Sequence, residues 1–136
     1  MLTEAWHRTN QASYPYVLAH QRHRLADARW YFRHEVLATC TVWVALTDPG
    51  DLAGLMALQP GWIRQFCVFP AHQRQGFGSA LLRHALGLSP PGLRLQTFRR
   101  NLGARKFYER HGFQAVAFGQ SPPPENEPDV TYQHTG

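Results

Sequence analysis

Apolar residues near the start of the chain recur at steps of three and four. Leu25, Ala28, Phe32 and Val36 share one face with Arg and His between them, and this spacing predicts a helix from Glu4 to about Val36. The period then falls to two. Val42, Val44 and Leu46 lie on one side of a strand spanning Cys40 to Thr47, with Trp43 and Ala45 on the other. Asp48-Pro49-Gly50-Asp51 has turn chemistry, a second strand follows from Leu52 to Gln59, and Pro60-Gly61 turns the chain into a third, Trp62 to Phe69. Beyond Pro70 the helical period returns. Phe77, Leu81 and Ala85 form a row with Leu82 and Leu86 beside it, and Pro90-Pro91-Gly92 stops it. Leu93 to Phe98 alternates as a strand. Asn101 suits the N-cap of a helix running to His111, and Gly112 suits its C-terminal cap. Phe113 to Phe118 alternates again. The prolines of Ser121-Pro122-Pro123-Pro124 cannot join a ladder, and a last short strand covers Val130 to Gln133.

This order predicts one α/β (α+β) domain over residues 1–136, with a mixed, mostly antiparallel sheet and one parallel pair in its middle. A chain of 136 residues with 43% hydrophobic content can bury a core unaided. Its apolar stretches are too short to cross a bilayer, and Met1 to His7 lacks a signal peptide's basic start and apolar run. Cys40 and Cys67 lie in apolar segments and read as reduced core residues, which makes a cytoplasmic location the expectation.

Charge adds a direction. Nine basic residues, Arg64 through Arg110, lie in a middle segment whose one acid is Glu109, and the net charge is +5. Such a segment suggests an anionic partner, either nucleic acid or a phosphate-bearing small molecule. No helix-turn-helix, zinc or RNA-binding motif accompanies it, so nucleic acid is not expected. The histidines are scattered without ligand spacing, and no metal is expected.

The most informative stretch is Phe66-Cys67-Val68-Phe69-Pro70, followed by Gln73-Arg74-Gln75-Gly76-Phe77-Gly78-Ser79. It reads as a strand, a proline stop and a basic loop that opens a helix. Two glycines spaced by one residue let backbone amides approach a ligand, and a helix N-terminus adds donors and positive dipole charge, so a phosphate suits this place. A dinucleotide fingerprint needs a third glycine where Leu81 stands, and a P-loop needs a lysine that is absent nearby.

The loop resembles the pyrophosphate-binding motif of the GNAT acetyltransferase superfamily, Gln/Arg-x-x-Gly-x-Gly/Ala. Downstream, the strand Leu93–Phe98, then Asn101, then Ala104-Arg105-Lys106-Phe107-Tyr108, closing on Gly112-Phe113, is similar to the second half of the same superfamily. The resemblance covers residues 40 to 118. It implies that two strands splay apart and that acetyl-CoA lies between them, its pantetheine pairing with the backbone of Phe66, Cys67 and Val68. Gln73, Arg74, Gln75, Gly76, Phe77, Gly78 and Ser79 would wrap the pyrophosphate, and Asn101 would contact the pantetheine arm or the region of the sulfur. Tyr108 would be the general acid for the departing thiolate, and the Val68 N–H would polarise the carbonyl. Acetyl-CoA is thus the implied co-substrate, with no metal, and the acceptor a small-molecule or peptide amine.

Two features depart from the family pattern. Ribosomal-protein acetyltransferases carry a glutamate five residues before the Asn, where this chain has Gln96, which cannot take a proton. A water chain, His72, Glu127 or a histidine of the first helix are the open alternatives. The family also begins with a strand that has no counterpart before the first helix. The sheet's first edge is then missing, uncovered, or filled by a second subunit in a homodimer. These departures motivate a second reading, an acetyl-CoA-binding regulatory or partner protein without catalysis.

Overall fold

A computed structural model describes residues 32–123 and 126–135 of the chain. The predicted first helix as far as residue 31, with its histidines, lies outside the described residues. Helical structure extends beyond Val36: a π-helical turn, Phe32–Val36, continues into one α-helical turn, Leu37–Thr39 (α1). Then come β1 (Thr41–Leu46), β2 (Leu52–Gln59), β3 (Trp62–Val68), a 3₁₀ turn (Pro70–His72), α2 (Phe77–Leu88), β4 (Leu93–Phe98), α3 (Leu102–Arg110), β5 (Gln114–Gln120) and β6 (Pro128–His134).

The six strands form one sheet in the order β1-β2-β3-β4-β6-β5. Every neighbouring pair is antiparallel except β3 and β4. The expected antiparallel beginning and central parallel pair are both present. Within the described sheet β1 is an outer strand.

Two strands differ from the sequence reading. The last is longer than Val130–Gln133 and begins on Pro128, a position where a missing N–H is tolerated. It inserts between β4 and β5, so Gln114–Gln120 becomes the far edge. All seven of its residues are exposed, Val116 and Phe118 among them, although their alternation suggested a half-buried strand. The second change lies in β3. Ala57 pairs with Gln65 and Leu58 with Ile63, which leaves Arg64 as a bulge. The extra residue flips the alternation. Ile63 and Phe66 pack with the cluster under α2 and α3, while Cys67 and Phe69 join Val36, Leu55 and Ala57 on the opposite face.

The larger core lies between the sheet and the two helices. Leu81, Leu82 and Ala85 of α2 meet Met56, Ile63, Leu93, Leu95, Val130 and Tyr132 of the sheet, with Tyr108 and Phe113 closing one side. A fully buried side chain of this size contributes about 1.5–3 kcal/mol. This packing holds the two helix termini that border the site.

Candidate active site

β3 and β4 pair only at Trp62 with Arg94 and Ile63 with Leu95, supported by the Arg94 N–H donating to the Gly61 carbonyl at 2.9 Å. Past that point the strands part, and the bulge at Arg64 falls where the gap opens. Arg64 is held outside it: its Nε donates to Gln59 Oε1 at 2.9 Å and its guanidinium lies 4.3 Å from the Trp62 ring centre. The result is a wedge whose walls are Phe66–Val68 and Gln96–Phe98.

Only alternate residues of β3 face this wedge. The Phe69 N–H donates to the Ala53 carbonyl at 2.9 Å, and the register then places Cys67 in the hydrogen-bonded pair with Leu55. A Cβ on Gly54 would come 2.6 Å from the Cys67 carbonyl oxygen, so that carbonyl points to β2. The expectation that Cys67 offers its backbone to a ligand is therefore corrected; strand alternation gives that edge to Phe66 and Val68. The Val68 carbonyl already accepts from Gln73 Nε2 at 2.9 Å, so the Gln73 side chain ties the loop to the wedge wall.

At the mouth of the wedge the loop turns through left-handed backbone twice, at Arg74 (φ 63°) and Gly76 (φ 90°). Gly76 caps α2 without a side-chain bond, and the first helical bond is the Ala80 N–H to the Gly76 carbonyl at 3.0 Å. Among the described residues the main-chain amides from Arg74 to Ser79 meet no acceptor within the chain. The two glycines serve different ends. Nothing lies within 4 Å of a Cβ built on Gly76, so that face is open. A Cβ on Gly78 would lie 3.2 Å from Phe107 Cζ and 3.4 Å from Val68 Cγ2, so Gly78 lets α2 close onto β3 and α3. Unused amides around an open cradle at a helix N-terminus fit a diphosphate.

Asn101 caps α3, its Oδ1 accepting the Ala104 N–H at 3.2 Å, so the cap engages its oxygen and not its side-chain NH₂. Tyr108 lies in the core with its ring centre 6.0 Å from Phe66, 5.5 Å from Phe107 and 5.9 Å from Phe113. It thus stands behind the wedge wall that carries the Phe66 amide. Gln96 is exposed and donates to Thr131 Oγ1 at 3.4 Å. Glu127 is 7% exposed, with Oε2 3.2 Å from Arg100 Nε.

Two features escaped the sequence reading. His111 bridges the helices: Nε2 lies 2.9 Å from Ser79 Oγ and Nδ1 2.8 Å from the Phe107 carbonyl. Asp129 is 8% exposed, and burial raises its carboxyl above the ordinary value. Nothing in a local pattern marks either, because both depend on which strands and helices become neighbours.

Residues 38–115 match the profile described as the acetyltransferase (GNAT) domain. The chain is 29% identical over 115 residues to the peptidyl-lysine N-acetyltransferase YjaB of Salmonella typhimurium, covering 85% of this chain and 76% of that protein. The solution structure of apo-form YjaB from Escherichia coli superposes with a TM-score of 0.76 at 20% identity, over 99% of this chain and 89% of that one. The crystal structure of a streptothricin acetyltransferase from Bacillus anthracis in complex with acetyl coenzyme A gives 0.65 at 22% identity, over 72% of this chain and 63% of that one.

Proposed function

Because the chain belongs to the GNAT acetyltransferase family, we propose that it transfers acetyl from acetyl-CoA to a primary amine, with Tyr108 as general acid. The observation that carries this reading is the row of unused amides from Arg74 to Ser79 at the mouth of a wedge between β3 and β4. When bound, acetyl-CoA supplies an activated acyl group as a thioester.

The roles of this chain's residues follow from where they stand. The amides of Arg74 to Ser79 hold the diphosphate, with the α2 dipole adding positive potential. Phe66 and Val68 present wedge-facing amides that align the pantetheine as a strand would be aligned, and one of them polarises the acyl carbonyl. The side-chain NH₂ of Asn101 contacts the pantetheine arm. Tyr108, beside Phe66, donates its proton to the departing sulfur; a phenol of ordinary pKa about 10 can protonate a thiolate of pKa about 8.5. The rings of Phe66, Phe107 and Tyr108 keep water from that end of the wedge.

The relatives named as peptidyl-lysine N-acetyltransferases support an amine acceptor. Thiol release from acetyl-CoA, followed with lysine peptides and small amines, tests the reading. Acetyl-CoA-dependent release that Gly76→Asp abolishes is the expected result. Tight acetyl-CoA binding without release across both acceptor sets would replace it with a non-catalytic, coenzyme-binding role.

A further inference from the structure

The described core contains two acids, Glu127 and Asp129, in a chain whose net charge is +5. Asp129 stands at the start of β6, with Glu127 just before the strand, and it faces away from α2 and α3, because Val130 and Tyr132 fill the core on the other face. Asp129 pairs across the ladder with Phe98 on β4 and Gly119 on β5. Phe98 is the last residue of the wedge's far wall. Because Arg64 is bulged, the position three pairing steps beyond Ile63 is Cys67, and it is Cys67 that stands across the gap from Phe98, three steps beyond Leu95. Asp129 is therefore one strand, about 5 Å, beyond the wall, at a depth between the Phe66 and Val68 amides.

The two acids are not equivalent. Glu127 has a cation: its Oε2 lies 3.2 Å from Arg100 Nε, in an ion pair without hydrogen-bond alignment. Its main chain is fixed as well, the carbonyl accepting from both the Ser121 N–H at 2.9 Å and Ser121 Oγ at 3.1 Å. Asp129 is 8% exposed; among the described residues its carboxylate has no hydrogen-bond or cation partner, and its oxygens, unlike Glu127 Oε2, keep some contact with solvent. The nearby arginines are engaged elsewhere, Arg100 on Glu127 and Arg99 over the Phe118 ring at 5.3 Å. Gly119 leaves the space the carboxylate occupies, since a Cβ there would lie 3.3 Å from Asp129 Oδ1. Burying an unpaired carboxylate costs stability, and such groups cluster where a ligand supplies the missing charge.

Resting on the acetyltransferase reading above, we propose that Asp129, with Glu127 beside it, is the subsite that holds an ammonium group of the acceptor. A cation is the ligand that completes this carboxylate. In a basic chain this is also the place where an ammonium is attracted rather than repelled. The substrate class it implies is a cationic amine, and a neutral amine-sized molecule would lack the contact.

Direct binding tests this without requiring turnover. Full-length protein, with and without saturating coenzyme A, is titrated calorimetrically with pentane-1,5-diamine and with the neutral pentane-1,5-diol. Wild type should prefer the diamine at least about tenfold, the order expected of one charge-assisted contact. Asp129→Asn should lose the preference and Asp129→Glu should keep part of it. Equal binding of diamine and diol by wild type, or a preference that survives Asp129→Asn, overturns the proposal. If Asp129→Asn does not fold, the Asp129 carboxyl carbon signal of the wild type decides: a shift on adding diamine but not diol is expected, and an unmoved signal overturns it. Failure of the acetyltransferase reading appears separately, as absent thiol release in a protein that still prefers the diamine.

Discussion

Ser79 Oγ and His111 Nε2 lie 2.9 Å apart, which joins the first turn of α2 to the residue that ends α3. The Phe107 carbonyl, 2.8 Å from Nδ1, can only accept, so Nδ1 carries a proton there and Nε2 of the neutral ring accepts from the Ser79 hydroxyl. The Ser79 side chain is thus committed within the protein, and under the proposed function its main-chain amide is what would meet a diphosphate.

Removing the two ends of this bond should therefore give different outcomes. Ser79→Ala loses one hydrogen bond, worth about 0.5–1.5 kcal/mol, and should leave the Kd for acetyl-CoA within about threefold of wild type. His111→Ala also loses the ring packed 4.4 Å from Phe107, so its thermal midpoint should fall further. Calorimetric titration beside thermal melts checks both. A tenfold or greater loss of affinity in Ser79→Ala would show that the hydroxyl reaches the ligand.

The two loop glycines should separate by a similar logic. Gly76→Asp projects a charged side chain into open cradle, so acetyl-CoA binding should be lost while the fold bears only the left-handed backbone cost, about 1–2 kcal/mol. Gly78→Asp drives its side chain against Phe107 and Val68, adding overpacking of about 1–3 kcal/mol to the lost affinity. Denaturant midpoints beside titrations distinguish them. Wild-type affinity in both variants would refute the cradle.

Tyr108→Phe removes the hydroxyl and keeps the ring that Phe66, Phe107 and Phe113 pack against. The expected result is a kcat lower by about 10²-fold, the lower range for a positioned general acid, with acetyl-CoA affinity unchanged. Steady-state rates with a measured Kd check it. An unchanged kcat would leave Tyr108 as a core residue alone.

Much of this arrangement is legible in the sequence because local chemistry agrees with the fold. Asn101 reads as a cap from its type and position, and it caps α3. Pro60-Gly61 and Pro90-Pro91-Gly92 punctuate the chain where the structure turns, and Gly92 fits because a Cβ there would meet the His134 carbonyl. The parting of β3 from β4 is expected from the family resemblance, whereas the bulge at Arg64 is not, since Trp62 to Phe69 reads as one alternating run. Cys67 is misassigned because the backbone edges of a strand alternate: which edge a residue presents depends on partner register, which its own sequence does not carry. Phe118 ends a stretch that alternates as a strand, and nothing within that stretch tells that β6 inserts inside it and leaves it on the edge. Asp129 carries no local sign of burial, because its burial depends on that insertion of β6 between β4 and β5.

Tyr132 carries a test in alkali. Its buried hydroxyl donates to Glu109 Oε2 at 2.6 Å and accepts from Arg105 Nε at 3.0 Å, fastening β6 to α3. Burial raises its pKa above 10.0, and the bond to Glu109 adds to the rise while Arg105 opposes it. The folded state then holds this proton when the unfolded chain has released it, so stability is complete below pH 10 and lost as pH climbs through the raised value. Tyr132→Phe should cost about 1–2 kcal/mol at neutral pH, and the gap to wild type should narrow above pH 10. Urea unfolding at both pH values measures this. A gap that widens in alkali would contradict the assignment.

Asp129 reverses the usual expectation for an acid. Its carboxyl is raised above 3.8 by burial, so the folded protein binds a proton that the unfolded chain gives up between that pH and the raised value. Stability from this group is fully present below pH 3.8 and is lost as pH rises, which makes the ionised carboxylate a cost at neutrality. Asp129→Asn removes the charge while keeping the shape, and it should unfold at higher denaturant than wild type at pH 7, with the difference fading as the solution is acidified. A residue retained for packing would behave oppositely, since its amide would fit no better and the variant would be equal or weaker at every pH. Urea midpoints for the pair, measured between pH 4 and pH 8, separate the two. A stabilised variant that no longer prefers an ammonium would tie the cost of the buried charge to its use, as expected where a site trades stability for binding.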